Sequence, residues 1–428
     1  MIRQECTWGR VVIGVLLAVW LWGGCAGPPP PVQAPTAPLF DNLGVHHHPV
    51  TTTSPSAQRY FDQGLIWAFA FNHAEAIRSF REAARLDPDC AMCYWGIAYA
   101  LGPNINAPMD EAAARKAFAA LQEARKRASR ASQVEQAYIG ALSRRYAVEP
   151  GGDRQALDRA YADAMRELGR AYPDDLDAAV LFAEALMDTT PWNYWTEDGR
   201  PRAVTTEIVG TLESVLARNP SHPFALHLYI HAVESSADPQ RGEDEADRLV
   251  GLVPGAGHLV HMPAHIYLRI GRYDDVVRLN ALAAKADEAY FAQAEGSVVY
   301  GQGYYPHNIH FVLVSAQMAG DAEHTLWAAE RLDGKISDEV AGSVGWIQAI
   351  LQAPYFAHAQ YSAPETALDL EDPGDKFPFV KAMWHYARGV AQAAKGELEA
   401  ARSEAARISE INQTADFSML TAWAVPAQ

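Results

Sequence analysis

Beyond about residue 57 the apolar positions recur every three to four residues, in Ala-rich stretches punctuated by Asp-Pro, Asn-Pro and Gly. That period is the signature of amphipathic helices, and the punctuation is that of turns. Strict alternation of the kind strands need is scarce. The pattern predicts helices over Glu111–Ser129, Ser132–Tyr146, Asp153–Ala171, Leu176–Asp188 and Thr205–Arg218. Pro191-Trp-Asn-Tyr-Trp195 and Thr196–Arg202 read as one long loop between two of them.

The helices repeat. Counting Ala57 as position 1, small residues stand at 8, 20 and 27 (Gly64, Ala76, Ala83), bulky ones at 11 and 24 (Trp67, Phe80), and Pro88 at 32. Small residues let two antiparallel helices approach, and bulky ones fill the space between them. This spacing resembles the tetratricopeptide repeat, a helix-turn-helix unit of about 34 residues. Weaker copies begin at Ala91, Pro223, Gly257, Pro306 and near Ala382, so that the resemblance covers most of Ala57 to Ile411. It implies an all-α chain, a right-handed α-solenoid of such helix pairs, in which the first helix of each pair lines a concave groove.

Seven histidines fall on three consecutive first helices: His227 and His231; His258, His261 and His265; His307 and His310. Their spacings, i,i+4, then i,i+3,i+7, then i,i+3, each keep to one helical face. In frames fixed by Pro220, Val276 and Gly320, all seven occupy positions that the resemblance turns into the groove, and Glu234 joins them. Imidazole is the commonest metal-binding side chain and the commonest acid–base group near neutral pH. Adjacent helices pack 8–10 Å apart, close enough to share an ion. The expectation is therefore one or two sites built from these seven histidines and Glu234, holding copper or zinc, with iron as a further candidate. Pro263 removes a helical N–H and places a helix start at Met262 or Pro263, with His258 and His261 on the preceding turn. Tyr267, Tyr290 and Tyr305 stand as groove residues suited to a bound peptide, and Tyr99 and Tyr304 are of the same kind.

Charge and cysteine usage narrow the setting. Net charge is −17 with a pI of about 5.3, and no long basic run exists, which excludes nucleic acid as a partner. Arg3 and Arg10 precede an apolar run from Val11 to Trp22 that is too short to span a bilayer. Trp22-Gly-Gly-Cys25 resembles the cleavage site of bacterial lipoproteins, with Trp22 departing from the usual Leu. The implication is a bacterial tetratricopeptide-repeat lipoprotein, acylated on Cys25 and anchored in the periplasm at the outer membrane; the alternative is a secreted soluble protein. Pro-rich residues 27–38 read as a semi-rigid tether. Cys90 and Cys93 are left as a pair, open to a disulfide, to soft metal ligation or to simple burial.

The resulting organisation is a signal peptide (1–24), a tether (25–45), an N-terminal repeat pair (46–130), irregular hairpins (131–220), His-rich repeats (221–335) and C-terminal helices ending in a last repeat (336–428). His46-His47-His48 reads as a flexible segment, His73 as packing, and His385 as a residue on the packing side. No HExxH, GxSxG, P-loop or GxGxxG occurs, so the corresponding peptidase, hydrolase, NTPase and dinucleotide chemistries lack a basis. Three functions stay open: a metal-binding envelope protein, a metal-free scaffold gripping a peptide or protein partner, and an envelope metalloenzyme of unassigned reaction. For the last, Glu234, Glu288 and Tyr290 are proton-transfer candidates by location.

Overall fold

The computed structural model describes residues 36–148 and 152–422. The expected signal segment, Cys25 and most of the Pro-rich tether lie outside that range. Among the described residues the regular structure is helical, with two isolated β-bridges in loops. The first half comprises α1 (Pro55–Phe69), α2 (His73–Leu86), α3 (Ala91–Ala100), α4 (Glu111–Arg127), α5 (Gln133–Leu142), α6 (Arg154–Ala171), α7 (Leu176–Thr189), α8 (Ala203–Arg218) and α9 (Pro223–Val233). The short α10 (Glu243–Leu249), α11 (Gly257–His261) and α12 (Pro263–Ile270) lead to α13 (Tyr273–Phe291), α14 (Tyr305–Ala319) and α15 (Ala322–Leu332). The chain ends with α16 (Asp338–Ser343), α17 (Ile347–Tyr361), α18 (Pro364–Leu368), α19 (Pro378–Ala394), α20 (Leu398–Thr414) and α21 (Ser418–Ala422).

Consecutive helices pack as pairs, and the pairs stack on their neighbours, giving the all-α solenoid of tetratricopeptide-like units. The crowding rule is visible in α1–α3. A Cβ on Gly64 would stand 2.7 Å from the Phe80 ring, and one on Gly96 2.5 Å from it. Phe80 thus fills a slot that only two glycines leave open. Side-chain caps start the helices where the sequence places Ser, Asn or Asp: Ser54, Asn72, Asp110, Asp153 and Asp175 each accept a backbone N–H of the first turn. Ser132 and Glu135 form a reciprocal capping box on α5. This helix stops at Leu142, short of the expected Tyr146. The residues that follow serve other elements: Arg145 bonds Asp158 and Asp188, and the Tyr146 hydroxyl donates to the Ala98 carbonyl at 2.7 Å.

Two hydrophobic clusters form the core. The larger runs from Ala37 through α12 to Tyr304, and the smaller gathers α14, α15 and α17 around Ile309, Val312, Leu313 and Ile350. Residues 36–54, whose histidines read as flexible in the sequence, are instead an ordered strap. The Ala37 and Pro38 carbonyls accept from Tyr60 and Gln63, the Asn42 carbonyl from Gly255 N at 2.8 Å, and Thr51 N–H donates to Glu135 at 2.6 Å. No helix among the described residues is long and apolar enough to cross a membrane.

Candidate metal centre

Three elements carry the histidines. His227 and His231 stand one turn apart on α9. His258 and His261 lie on α11 and His265 on α12. Pro263 breaks the hydrogen-bond ladder but hardly the path, because Met262 between the two helices keeps helical dihedrals of −51° and −40°. His307 is on α14, which follows a π-helical turn at Tyr300–Tyr304. That turn lays the Tyr304 ring 4.7 Å from the His258 ring.

Six of the seven histidines meet as two triads. One ring nitrogen from each of His227, His231 and His258 lies within 4.8 Å of the other two, and the same holds for His261, His265 and His307. His310, although on the same helix as His307, belongs to neither group. The expected open groove is closed at this point: His227, His231, His258 and His261 are at most 2 % exposed.

The ring orientations are set from behind. His227 Nδ1 is 2.7 Å from the Phe69 carbonyl oxygen, and His231 Nδ1 is 2.7 Å from Glu234 Oε1. Carbonyl and carboxylate oxygens only accept, so both rings carry their proton on Nδ1 and direct a bare Nε2 lone pair inward. His265 Nδ1 lies 2.6 Å from the other Glu234 oxygen. Glu234, expected among the ligands, thus has each carboxylate oxygen on an imidazole Nδ1, one in each triad, and stands behind the free nitrogens. His227 Nε2, His231 Nε2 and both nitrogens of His258 are buried without a hydrogen-bond partner among the protein groups.

Electrostatics work against a charge on six of the seven rings. Burial first, and neighbouring imidazoles second, hold the His227, His258, His261 and His307 pKa values well below that of a free imidazole. Burial lowers His231 against the opposing pull of Glu234. Burial alone brings His310 down to about 4. Burial would raise Glu234, yet the charge and hydrogen bonds of His265 and His231 hold it far below the ordinary carboxylate range.

Strain gathers at the same spot. Among the described residues, the non-glycine positions with positive φ are Phe71 at 57° and Trp192 at 60°. The Phe71 ring packs 4.6 Å from His227 and 5.4 Å from His258, and Trp192 meets His231 edge-on at 5.2 Å. Such backbone costs of order 1–3 kcal/mol per residue and clusters at functional sites.

A second constellation had no clear signal in the sequence. Asp177, at the start of α7, receives His48 Nδ1 at 2.7 Å and His222 Nε2 at 3.1 Å, while His46 Nε2 lies 3.1 Å away outside hydrogen-bonding geometry. These residues line a cavity of about 630 Å³. His222 Nδ1 accepts the Ala225 N–H, which leaves its proton on Nε2 facing Asp177. The ring is therefore spent as a donor, and the cluster acts as a latch for the strap. A run of three histidines before the first helix was the one available hint.

Tyr304 apart, the tyrosines expected along the groove point elsewhere. The Tyr267 hydroxyl donates to Asp247 beneath Arg272, Tyr290 joins Glu75 and Arg78, and Tyr305 donates to Glu288 at 2.8 Å. Glu288 is further paired with Arg331, and Tyr99 donates to Glu184 at 2.8 Å. Cys90 and Cys93 are joined as a buried disulfide, which removes both sulfurs as ligands. His73 is half-buried, and loss of solvation lowers it to about 4. His385 pairs with Glu404 at 2.6 Å, remote from the triads in sequence and contacts.

No protein family matches the chain, and neither does any curated protein. Among solved structures, the P58(IPK) TPR domain is 13 % identical over 86 % of this chain and 97 % of its own, with a TM-score of 0.21. Yeast Tom70 is 10 % identical over 86 % of this chain and 92 % of its own, with a TM-score of 0.28. At these values neither guides the reading of the site, which rests on its own geometry.

Proposed function

We propose that this chain is a cell-envelope protein of the helical-repeat kind that binds a transition metal, copper or zinc first and iron next, in its buried histidine centre. One observation carries the reading. His227 Nε2, His231 Nε2 and both nitrogens of His258 are buried and unpartnered, one nitrogen from each ring converges with the other two, and in two of the three rings the Nδ1 proton is fixed by an acceptor behind. Leaving a buried polar atom unpaired costs about 1–3 kcal/mol, so three such rings converging in one place call for a common partner. An imidazole triad whose outer nitrogens are held by carbonyl and carboxylate acceptors is the arrangement of metal sites that keep a coordination position open. The all-nitrogen donor set suits copper and zinc.

The envelope setting draws on the lipoprotein-like Cys25 segment and on the Cys90–Cys93 disulfide, a bond that persists in oxidising compartments. On this reading the mature chain is tethered through lipid at the outer membrane. The metal-free scaffold reading gains less, because the tyrosines assigned to a peptide already have partners within the fold. Metal analysis of the purified protein beside the His227→Ala/His261→Ala double variant decides between them. The expected result is stoichiometric metal in the parent and loss in the variant. Equal content in the two would sink the metal reading.

A further inference from the structure

We infer that the two triads act as one two-ion centre, in which paired metal ions share a small anion such as hydroxide. The inference rests on the metal reading above and goes beyond it in the number of ions, their coupling and the ligand they take.

The second triad is ordered for a metal by a different route from the first. His261 Nδ1 lies 2.6 Å from Asn280 Oδ1, and the Asn280 amide donates to the Val276 carbonyl at 2.9 Å, which fixes the oxygen toward the ring. His265 Nδ1 is held by Glu234. Both rings therefore bear a proton on Nδ1, and their Nε2 atoms face each other on the inner side. Those two atoms are 2.8 Å apart. At that distance either a proton shared as an N–H···N hydrogen bond or a metal ion beside both nitrogens holds them together. Two imidazoles on one ion, bonded at about 2.0–2.1 Å and roughly 90–110° apart, place their nitrogens about 2.9–3.4 Å from each other. The observed pair needs only a few tenths of an ångström to open into that geometry, with His307 as the third ligand.

The two triads are neighbours. The His231 and His265 rings are 5.4 Å apart, and those of His258 and His261 5.8 Å. Within the triads the ring separations run from 4.6 Å to 6.2 Å. Rings of different triads are thus as close as rings of the same one, and Glu234 holds a ring of each. Ions in such arrangements commonly sit about 3.5–4 Å apart, a span that one small ligand bridges.

Charge names the ligand. Two divalent ions would bring four positive charges to six neutral imidazoles and a single carboxylate. Buried charge without compensation is costly, and three protein ligands per ion leave a position open on each. A small anion answers both needs, and the rings of Phe71, Tyr304 and Phe311 pack against the histidines around it.

The test uses the purified full chain, stripped of metal and titrated with Cu(II), with azide as the anion probe. Two copper ions per chain are expected, with an electron paramagnetic resonance intensity well below the copper content because the ions couple. One azide per chain should add a new absorption band. His307→Ala should bind one copper at full spin intensity, and His307→Gln repeats the measurement in a side chain of similar volume should the alanine variant fail to fold. One copper per parent chain, or two that give full isolated intensity, overturns the paired centre while leaving the metal reading intact. No copper at all overturns both.

Discussion

At the scale of single residues, Glu234 has the largest leverage for its size. One carboxylate sets the proton position of a ring in each triad. Glu234→Gln keeps the volume but offers one acceptor and one donor in place of two acceptors. The amide N–H would face an Nδ1–H, and one imidazole would have to turn its proton inward to the metal side. Loss of an outer-shell partner typically costs 10–100-fold in metal affinity, and this variant should fall in that range by competition with a chromophoric chelator. Unchanged affinity would mean that the carboxylate does not orient the rings. Glu184 offers a separate residue-scale test. Burial, together with the nearby charge of Asp188, raises its pKa while Arg145 opposes. The folded state therefore holds its proton at higher pH than the unfolded chain. Its contribution to stability is complete below the unfolded value of about 4.3 and is lost as pH rises through the raised native value. Glu184→Gln should flatten the decline in unfolding free energy between about pH 5 and pH 8, a change of at most ~1.4 kcal/mol per pH unit for one proton. Urea denaturation at the two pH values reads it, and parallel declines in parent and variant would refute it.

At the scale of elements, the loop after α7 is held against its own preference. Trp192 adopts a left-handed φ of 60° while 45 % exposed, so burial does not repay the strain. Its one evident duty is the edge contact with His231. Trp192→Gly removes the backbone penalty and little packing, and the variant should be as stable as the parent or up to ~1 kcal/mol more stable. It should also release metal to a chelator several-fold faster, as measured by stopped flow; an unchanged release rate would leave the strain without a function. How much of this centre could be read from the sequence follows element boundaries. The i,i+4 and i,i+3 spacings brought the histidines to one surface because they act within a helix. The repeat frame aligned α9, α11–α12 and α14 because the repeat sets their phase. What the frame cannot express lies between repeats. Phe71 and Trp192 reach the triads from turns, and Asn280 reaches them from the next helix. The strap is likewise hidden, since His48, Asp177 and His222 are distant in sequence and meet only through tertiary packing. The tyrosines show the reverse case. Their positions were legible, but the carboxylates and Arg side chains that engage them were not.

At the scale of the whole molecule, the second triad joins the two halves of the core. Leu259, Met262 and Ile266, beside His261 and His265, belong to the larger hydrophobic cluster. Ile309, Val312 and Leu313, beside His307, belong to the smaller one. An ion held by all three histidines would tie the clusters together, and a net charge of −17 favours cations near the surface as they approach. A ligand that binds only the folded state stabilises it by about 2.7 kcal/mol at a free concentration one hundred times its dissociation constant. For a cooperative unit of 150–250 residues each kcal/mol is worth roughly 2–4 °C. Metal-loaded protein should therefore melt about 5–10 °C above chelator-treated protein. The form of the transition should change as well. Without metal, α14, α15 and α17 rest on their own small cluster and should unfold in a separate, earlier step; with metal the two steps should merge. Calorimetry of the loaded, stripped and His307→Ala proteins distinguishes the cases. The His307→Ala protein should keep two transitions even in excess metal. A single transition in all three, at one temperature, would show that the histidines pack between the clusters without joining them through an ion.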